Sequence, residues 1–282
     1  MKREITFKGE PLRLVGRCLE AGMSGPDFRV VSSNFKEMKL ADFGRKIKIV
    51  TTFLSLDTPV CDLQVKEFNR KAIDLGKDVV ILGVSKDLPF AQKRFCKENA
   101  IENVITLSDY RFSSFGINYG MLIKELNLLA RGVFILDTND IVRYVQVVEE
   151  ATDAPDYDAV LKTLQDVLEK PALMLKEEFP RRCSPCEKGT PPLSKDSVET
   201  HLRLISGWKL VDDRKIRKEY KFKDFIEAKY FLDLVSAIAE EQGHHPIMTI
   251  IYNKLRVTLT THAAGGLTEN DFIMARIVDE LV

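Results

Sequence analysis

Several kinds of feature that tie proteins to polymers or lipid surfaces are missing here. The 42 basic residues are matched by 42 acidic ones, so no overall positive field draws the protein toward nucleic acid or anionic lipid. No apolar run reaches membrane-spanning length, and the start Met1-Lys2-Arg3-Glu4-Ile5-Thr6-Phe7 lacks the apolar core of a secretion signal. A cytoplasmic protein with no membrane association and no direct nucleic-acid partner is expected. Internal repeats and low-complexity tracts are also absent. Cysteine is scarce: Cys18, Cys61, Cys96, Cys183 and Cys186 are odd in number and too few for a secreted disulfide scaffold. In a reducing compartment they point to catalysis or metal binding. Histidine is scarcer still, and the first of the four is His201.

What is present divides into two patterns. At 282 residues the chain is long enough for two medium domains, each with its own core. Val- and Ile-rich runs at Ile47 to Phe53, Val79 to Val84, Val133 to Leu136 and Ile141 to Val148 alternate with helix-like stretches, an α/β arrangement. Val160, Leu161, Leu164, Val167 and Leu168 recur at helical spacing within Pro155 to Leu168, and Lys170-Pro171 ends that helix. The breaker-rich stretch Pro180 to Pro192 reads as a linker or surface loop. Beyond it the order is a short helix (Ser194 to Leu204), a hairpin (Trp208 to Phe222), a long amphipathic helix (Phe225 to Glu241), two strands framing Tyr252-Asn253, and a last helix from Thr268. That order predicts an α+β domain with a four-stranded antiparallel sheet and helices on one face. The expected boundaries are 1–170, a linker at 171–190, and 191–282.

Cys61 is the first candidate site residue. Thr58 reads as a helix N-cap and Pro59 as the first helical residue, which puts Cys61 at the third position, where an anion is favoured. An ordinary thiol is only about 3% ionised at pH 7, so a position that favours the anion matters for reactivity. The strings Ser55-Leu56-Asp57-Thr58-Pro59-Val60-Cys61, Leu88-Pro89-Phe90-Ala91-Gln92-Lys93-Arg94-Phe95-Cys96 and Ala130-Arg131-Gly132-Val133-Phe134 occur in that order. Together they resemble the bacterial thiol peroxidases of the atypical two-cysteine peroxiredoxin type, over roughly residues 1 to 169. One position departs: the pattern P-x-x-x-T-x-x-C has proline where this chain has Leu54. The resemblance implies a thioredoxin-like fold with Cys61, Cys96, Thr58 and Arg131 as site residues. It further implies that Cys61 attacks hydrogen peroxide or an alkyl hydroperoxide, that Cys96 captures the sulfenic acid as a disulfide, and that a thioredoxin-like donor resets it. Arg131 would hold the peroxide and stabilise the thiolate, and no metal, haem or flavin is required.

The second cluster is Glu240, His244-His245-Pro246, Tyr252, His262 and Asp271. This string resembles the pterin-4a-carbinolamine dehydratases, over roughly residues 190 to 282, and Gly207-Trp208 fits too. Dehydrating a 4a-hydroxytetrahydropterin removes a proton from a ring nitrogen and gives one to the departing hydroxyl. Imidazoles, with ordinary pKa near 6.5, serve both needs at neutral pH, and each such transfer is worth about 10²–10⁴-fold. The resemblance implies His244 and His262 as the acid and base, His245 as a substrate holder, and Glu240 as the carboxylate that orients a histidine.

Plainer readings stand beside these. Cys61 or Cys96 could be a passive core cysteine, and Arg131 a solvated charge at a strand end. Three histidines could hold zinc, although neighbours on an extended strand point to opposite faces, so His244 and His245 would share an ion only from a turn. Asp271 follows Thr268 by three residues, the outline of a helix-start cap. His201 is expected at the surface. Cys183-Ser184-Pro185-Cys186 is an ancestral feature of the second domain, half of a zinc site, or a redox pair that could reduce the Cys61–Cys96 disulfide. The resemblances imply homodimers or larger assemblies. The alternative to a bifunctional enzyme is a peroxide-sensing disulfide switch fused to a pterin-binding, dimerisation or coactivator module.

Overall fold

A computed structural model describes residues 4–72, 75–172, 182–185 and 189–281. The chain divides into two compact units, Met1–Glu177 and Glu178–Val282.

The first unit opens with β1 (Glu4–Phe7), β2 (Glu10–Val15), β3 (Val30–Ser32) and β4 (Glu37–Met38). The alternating part follows: β5 (Ile47–Thr52), α1 (Pro59–Lys71), β6 (Val79–Ser85), α2 (Pro89–Glu98) and β7 (Val104–Ser108). Then come α3 (Ser114–Asn118), β8 (Leu122–Ile123), β9 (Leu128–Leu129), β10 (Gly132–Leu136), β11 (Val142–Val147) and α4 (Tyr157–Glu169). Seven strands form one sheet in the order β11-β10-β5-β6-β7-β3-β4, and β1-β2-β8-β9 form a smaller one. Strands β5, β6 and β7 run parallel, because helices α1 and α2 carry the chain back between them. β10 joins β5 antiparallel.

All six residues of β5 are buried, Lys48 included. The Lys48 ammonium is compensated by the Gly44 and Lys46 carbonyls at 2.7 and 3.1 Å and by Asp140 Oδ1 at 2.5 Å. A buried charge survives only with such partners. Gly132 opens β10 where a Cβ would lie 2.5 Å from the Gln146 carbonyl oxygen and 2.6 Å from Met121 Cε. The Arg131-Gly132 pair thus lets the chain pass close beside β11.

The second unit contains α5 (Lys195–Leu202), β12 (Lys209–Val211), β13 (Lys215–Lys221), α6 (Phe225–Gln242), β14 (Ile247–Ile251), β15 (Lys254–Leu259) and α7 (Glu269–Glu280). Its sheet is antiparallel in the order β12-β13-β15-β14. Ile216, Tyr220, Leu255, Val257 and Leu259 are buried together with α6 residues Phe231, Leu234 and Val235 and α7 residues Phe272, Met274 and Val278. The opposite face carries Glu219 between Lys254 and Arg256, at 3.0 and 3.1 Å. This is the expected α+β layer. α6 starts at Asp224, whose carboxylate accepts the Glu227 N–H at 2.9 Å, and stops at Gly243 with φ +62°. That left-handed residue, easy for glycine, turns the chain back into His244. No helix among the described residues is long and apolar enough to cross a membrane.

Candidate functional site

The thiol site sits where the parallel strands end. The chain leaves β5 at Thr52, turns through residues 53–58, and enters α1 with Thr58 as N-cap, Pro59 at the first position and Cys61 in the first turn. The Thr58 side chain does not cap the helix as expected; its hydroxyl donates to the Ser55 carbonyl at 3.0 Å and closes the preceding turn instead. Cys61 is fully buried.

Arg131 reaches the same place from the residue before β10. It is only 1% exposed, which removes the reading of a solvated charge. Its Nη2 donates to Cys61 Sγ at 3.3 Å and to the Ala151 carbonyl at 3.0 Å, Nε donates to Ala151 at 3.3 Å, and Nη1 donates to Gln64 Oε1. Gln64 is itself held by donating to Thr51 Oγ1 at 2.5 Å and to the Thr52 carbonyl at 3.2 Å. The guanidinium therefore has its direction set by three elements and offers one edge to sulfur. A fixed cation in a dry site stabilises an adjacent thiolate and the negative oxygen that leaves a broken O–O bond.

The Ala151 carbonyl is fixed in turn. Ala151 N–H donates to the Thr6 carbonyl at 2.8 Å. The neighbouring Glu150 carboxylate accepts the Lys8 and Gly9 N–H groups at 3.0 and 3.1 Å. These donors, with Thr152, hold the Glu150 carboxyl down at about 2.

Cys96 lies on α2 with its sulfur 3.6 Å from Thr106 Oγ1 on β7. Burial pushes the Cys96 thiol up, and the Thr106 hydrogen bond offsets this only in part. In place it is a protonated thiol and a poor nucleophile. Cys61 and Cys96 are both free thiols here. Their partners stand on or beside β10 and β7, with β5 and β6 between those strands. Three strand spacings amount to about 14 Å.

In the second unit His244 is buried, and its Nε2 faces Asp271 Oδ1 at 2.8 Å. Against a carboxylate that nitrogen is the donor. Asp271 Oδ2 accepts the Thr268 N–H and the Thr261 hydroxyl, both at 2.8 Å. Asp271 thus fills the helix-start position with one oxygen and contacts His244 with the other. Thr261, on the same carboxylate, is followed directly by His262, which is exposed in a short 3-10 turn. His245 Nε2 is 3.1 Å from Glu240 Oε2, and both are exposed. His201 is not the surface residue expected: it is half-buried, its ring centroid 4.9 Å from that of Phe272 and its Nδ1 2.7 Å from the Ser197 carbonyl.

Cys183 is buried between the end of α6 and the start of α7. Its N–H donates to Gln242 Oε1 at 2.9 Å, and its sulfur lies 3.6 Å from the Asn270 carbonyl. The next residue, Ser184, exchanges two hydrogen bonds with the Asn270 side chain at 3.0 and 2.6 Å. Cys186 lies outside the described residues, as does most of the 171–190 stretch. Among the described residues no group of three or more His, Cys, Asp or Glu is placed to hold a metal.

Gln64 was not singled out in the sequence, although it carries a signal that could have found it, three residues after Cys61 on the same face of α1.

A mixed sheet with a buried thiol and guanidinium at the ends of its parallel strands, followed by an α+β unit with a histidine–carboxylate pair, defines a two-part redox and acid–base class. Residues 20–161 match the redoxin family, and residues 191–281 match the family of pterin 4 alpha carbinolamine dehydratase. The thiol peroxidase of Staphylococcus aureus is 46% identical over 164 residues, covering 58% of this chain and 99% of that protein. That of Oceanobacillus iheyensis is 45% identical over 160 residues, covering 57% and 97%. Among solved structures, a peroxiredoxin-like protein from Aquifex aeolicus is 39% identical with TM-score 0.55, over 59% of this chain and 98% of its own. A transcriptional coactivator/pterin dehydratase from Brucella melitensis is 38% identical with TM-score 0.31, over 32% of this chain and 97% of its own. The chain belongs to the redoxin family, as a thiol peroxidase of the peroxiredoxin type, and is a fusion that carries a pterin-4a-carbinolamine dehydratase domain behind it.

Proposed function

We propose that the chain is a bifunctional enzyme with independent chemistry in its two halves, divided as 1–170, a linker at 171–190, and 191–282. The observation that carries the first activity is the Arg131 Nη2 contact to the buried Cys61 sulfur at 3.3 Å. Cys61 thiolate attacks one peroxide oxygen, the O–O bond breaks, and the departing alkoxide or hydroxide takes a proton to leave as alcohol or water. The resulting Cys61 sulfenic acid is captured by Cys96. Because the two Cα atoms must come within about 7 Å, the Cys61 turn or the Cys96 segment leaves its place first. Leaving also removes the burial that raises the Cys96 thiol above the ordinary range, so exposure returns it to ordinary thiol reactivity. A thioredoxin-like dithiol then reduces the disulfide. Thr58 shapes the turn from which Cys61 is presented.

In the second half, His244, oriented by Asp271, and His262 exchange the two protons of dehydration. His245, steadied by Glu240, holds the pterin at the exposed rim. Thiol and imidazole chemistry of this kind needs no metal or organic cofactor. Zinc at Cys183 and Cys186 is not part of the proposal, since the Cys183 contacts give the segment a structural role beside Asn270. The working location is the cytoplasm and the working state a homo-oligomer. Reduced pterins autoxidise and release peroxide, which gives the fusion a purpose: the peroxidase protects the pterin pool.

The test is steady-state peroxide reduction with thioredoxin and its reductase, alongside dehydratase turnover, for wild type, Cys61→Ser, Cys96→Ser and Cys183→Ser/Cys186→Ser. Loss of peroxidase activity in the first two alone, with dehydratase activity intact in both, is expected. Loss in the third would instead make the Cys183 segment a redox relay.

A further inference from the structure

Asp87 is the residue before the N-cap of α2, and its carboxylate gathers groups from both thiol-bearing segments. Oδ1 accepts the Ser55 hydroxyl at 2.7 Å, while Oδ2 accepts the Leu56 N–H at 2.9 Å and the Ser85 hydroxyl at 2.8 Å. Ser55 and Leu56 belong to the turn that leads to Cys61. On the other side, Ser85 Oγ accepts Gln92 Nε2 at 3.1 Å, and Gln92 also donates to the Leu107 carbonyl at 2.9 Å. Gln92 is buried on α2, one turn before Cys96 on the same face. The Asp87 carbonyl accepts the Ser108 hydroxyl, which anchors the junction to β7. With the Thr58 hydroxyl on the Ser55 carbonyl, hydrogen bonds run unbroken from the N-cap of the Cys61 helix to the helix of Cys96.

Within itself the turn is held by burial of Phe53, Leu54 and Leu56 and by the Thr58 and Asp57 N–H groups, which donate to the Ser55 carbonyl at 3.1 Å and to Ser55 Oγ at 3.2 Å; Asp87 is what ties it to the helix of Cys96. Leu54 leaves its own φ unrestricted, and the Arg94–Asp57 ion pair across the same two segments is 3.8 Å long with both side chains mostly exposed. An exposed pair of that kind contributes little. The Asp87 bonds are charge-assisted and partly buried, the stronger sort.

We propose that Asp87 is a positioning residue of the peroxidase reaction, holding the Cys61 turn and the Cys96 helix together for peroxide attack and releasing both in one event for disulfide closure. The inference rests on the reading that Cys61 and Cys96 form that disulfide. In the closure step the Cys96 sulfur attacks the Cys61 sulfenic sulfur and the S–O bond breaks. The departing hydroxide takes the proton lost by Cys96 and leaves as water. No oxidant beyond the original peroxide is consumed. Weakening the tether therefore acts oppositely on the two steps: the pocket is less well formed for attack, and the open arrangement is more populated for closure.

The experiment uses the full chain, with Asp87→Asn and Ser55→Ala, rapidly mixed with hydrogen peroxide, quenched by alkylation and read by mass spectrometry. Asparagine keeps the volume but removes the charge and one acceptor oxygen, so the tether is weakened; Ser55→Ala removes one strand of it from the loop side alone. In Asp87→Asn the ratio of closure rate to attack rate should rise at least about tenfold, equivalent to about 1.4 kcal/mol. Sulfinic acid at Cys61 under excess peroxide should fall by a similar factor, and Ser55→Ala should move both readouts the same way by less. A ratio unchanged in both variants, or two rates that fall together as in a misfolded protein, overturns the role of Asp87. Absence of a Cys61–Cys96 disulfide from the wild type overturns the underlying reading instead.

Discussion

Cys61, Gln64 and Arg131 are withdrawn from solvent, whereas among the candidate residues of the second unit His244 and Asp271 are buried and His245, Glu240 and His262 stand exposed. The substrates proposed for each half account for the difference. A peroxide is small enough to reach a buried sulfur beside a guanidinium, where the cation acts at low dielectric. A pterin ring system has to be met at a rim, with one buried pair setting direction and outer groups closing around it. Under the proposed mechanism the thiol site opens to complete its cycle and the histidine site does not: burial of Cys96 against Thr106 and the Asp87 network would then belong to the half that opens, and the shared carboxylate of Asp271 to the half that stays.

The largest effect that sharpens this contrast comes from Arg131→Met. Removing the buried cation should lower peroxide attack by about 10²–10³-fold, the usual loss of a preorganised electrostatic group, with dehydratase turnover unchanged. A loss below fivefold, measured as kcat/KM for peroxide, would break the view that the dry cation drives the reaction.

Next in size is Asp271→Asn. Loss of the carboxylate behind His244 should cost about 10- to 100-fold in dehydratase turnover, as other supporting-carboxylate losses do. The weakened helix start should cost about 1 kcal/mol of stability in urea unfolding. If turnover survives while stability falls, the residue is only a cap.

The smallest effect concerns Cys96. Its ionisation lies above that of an ordinary thiol, so the folded state favours the protonated form. That contribution is complete below the ordinary thiol range and is lost as pH rises through the higher value. Alkylation of Cys96 in a Cys61→Ser background should therefore rise at higher pH than for a free cysteine, and Thr106→Val should move it higher still. Alkylation at the ordinary pH would mean that Cys96 is already exposed.

Much of this was legible in the residues. Periodicity marked β5, β6, β10, β11 and α4 and every element of the second unit named from the sequence, because long strands and helices bury one face or both in a regular rhythm. The two-residue strands β4, β8 and β9 carried no such rhythm and exist because neighbouring strands offer them partners. Thr58 and Pro59 gave away the start of α1, yet not that the Thr58 hydroxyl would turn to Ser55, a choice set by the loop. Asp87 was illegible for another reason: what matters about it is which distant groups it touches, and spacing along the chain does not record it, whereas Gln64 stands three residues from Cys61 on the same helix face.

The most direct measurement is to treat the reduced full chain with one equivalent of hydrogen peroxide and map its disulfides in a digest made without reductant. The account predicts a Cys61-containing peptide joined to the Cys96 peptide, with Cys183 and Cys186 still free to alkylate. A link from Cys61 to Cys183 or Cys186, or oxidised Cys61 with Cys96 untouched, would contradict it.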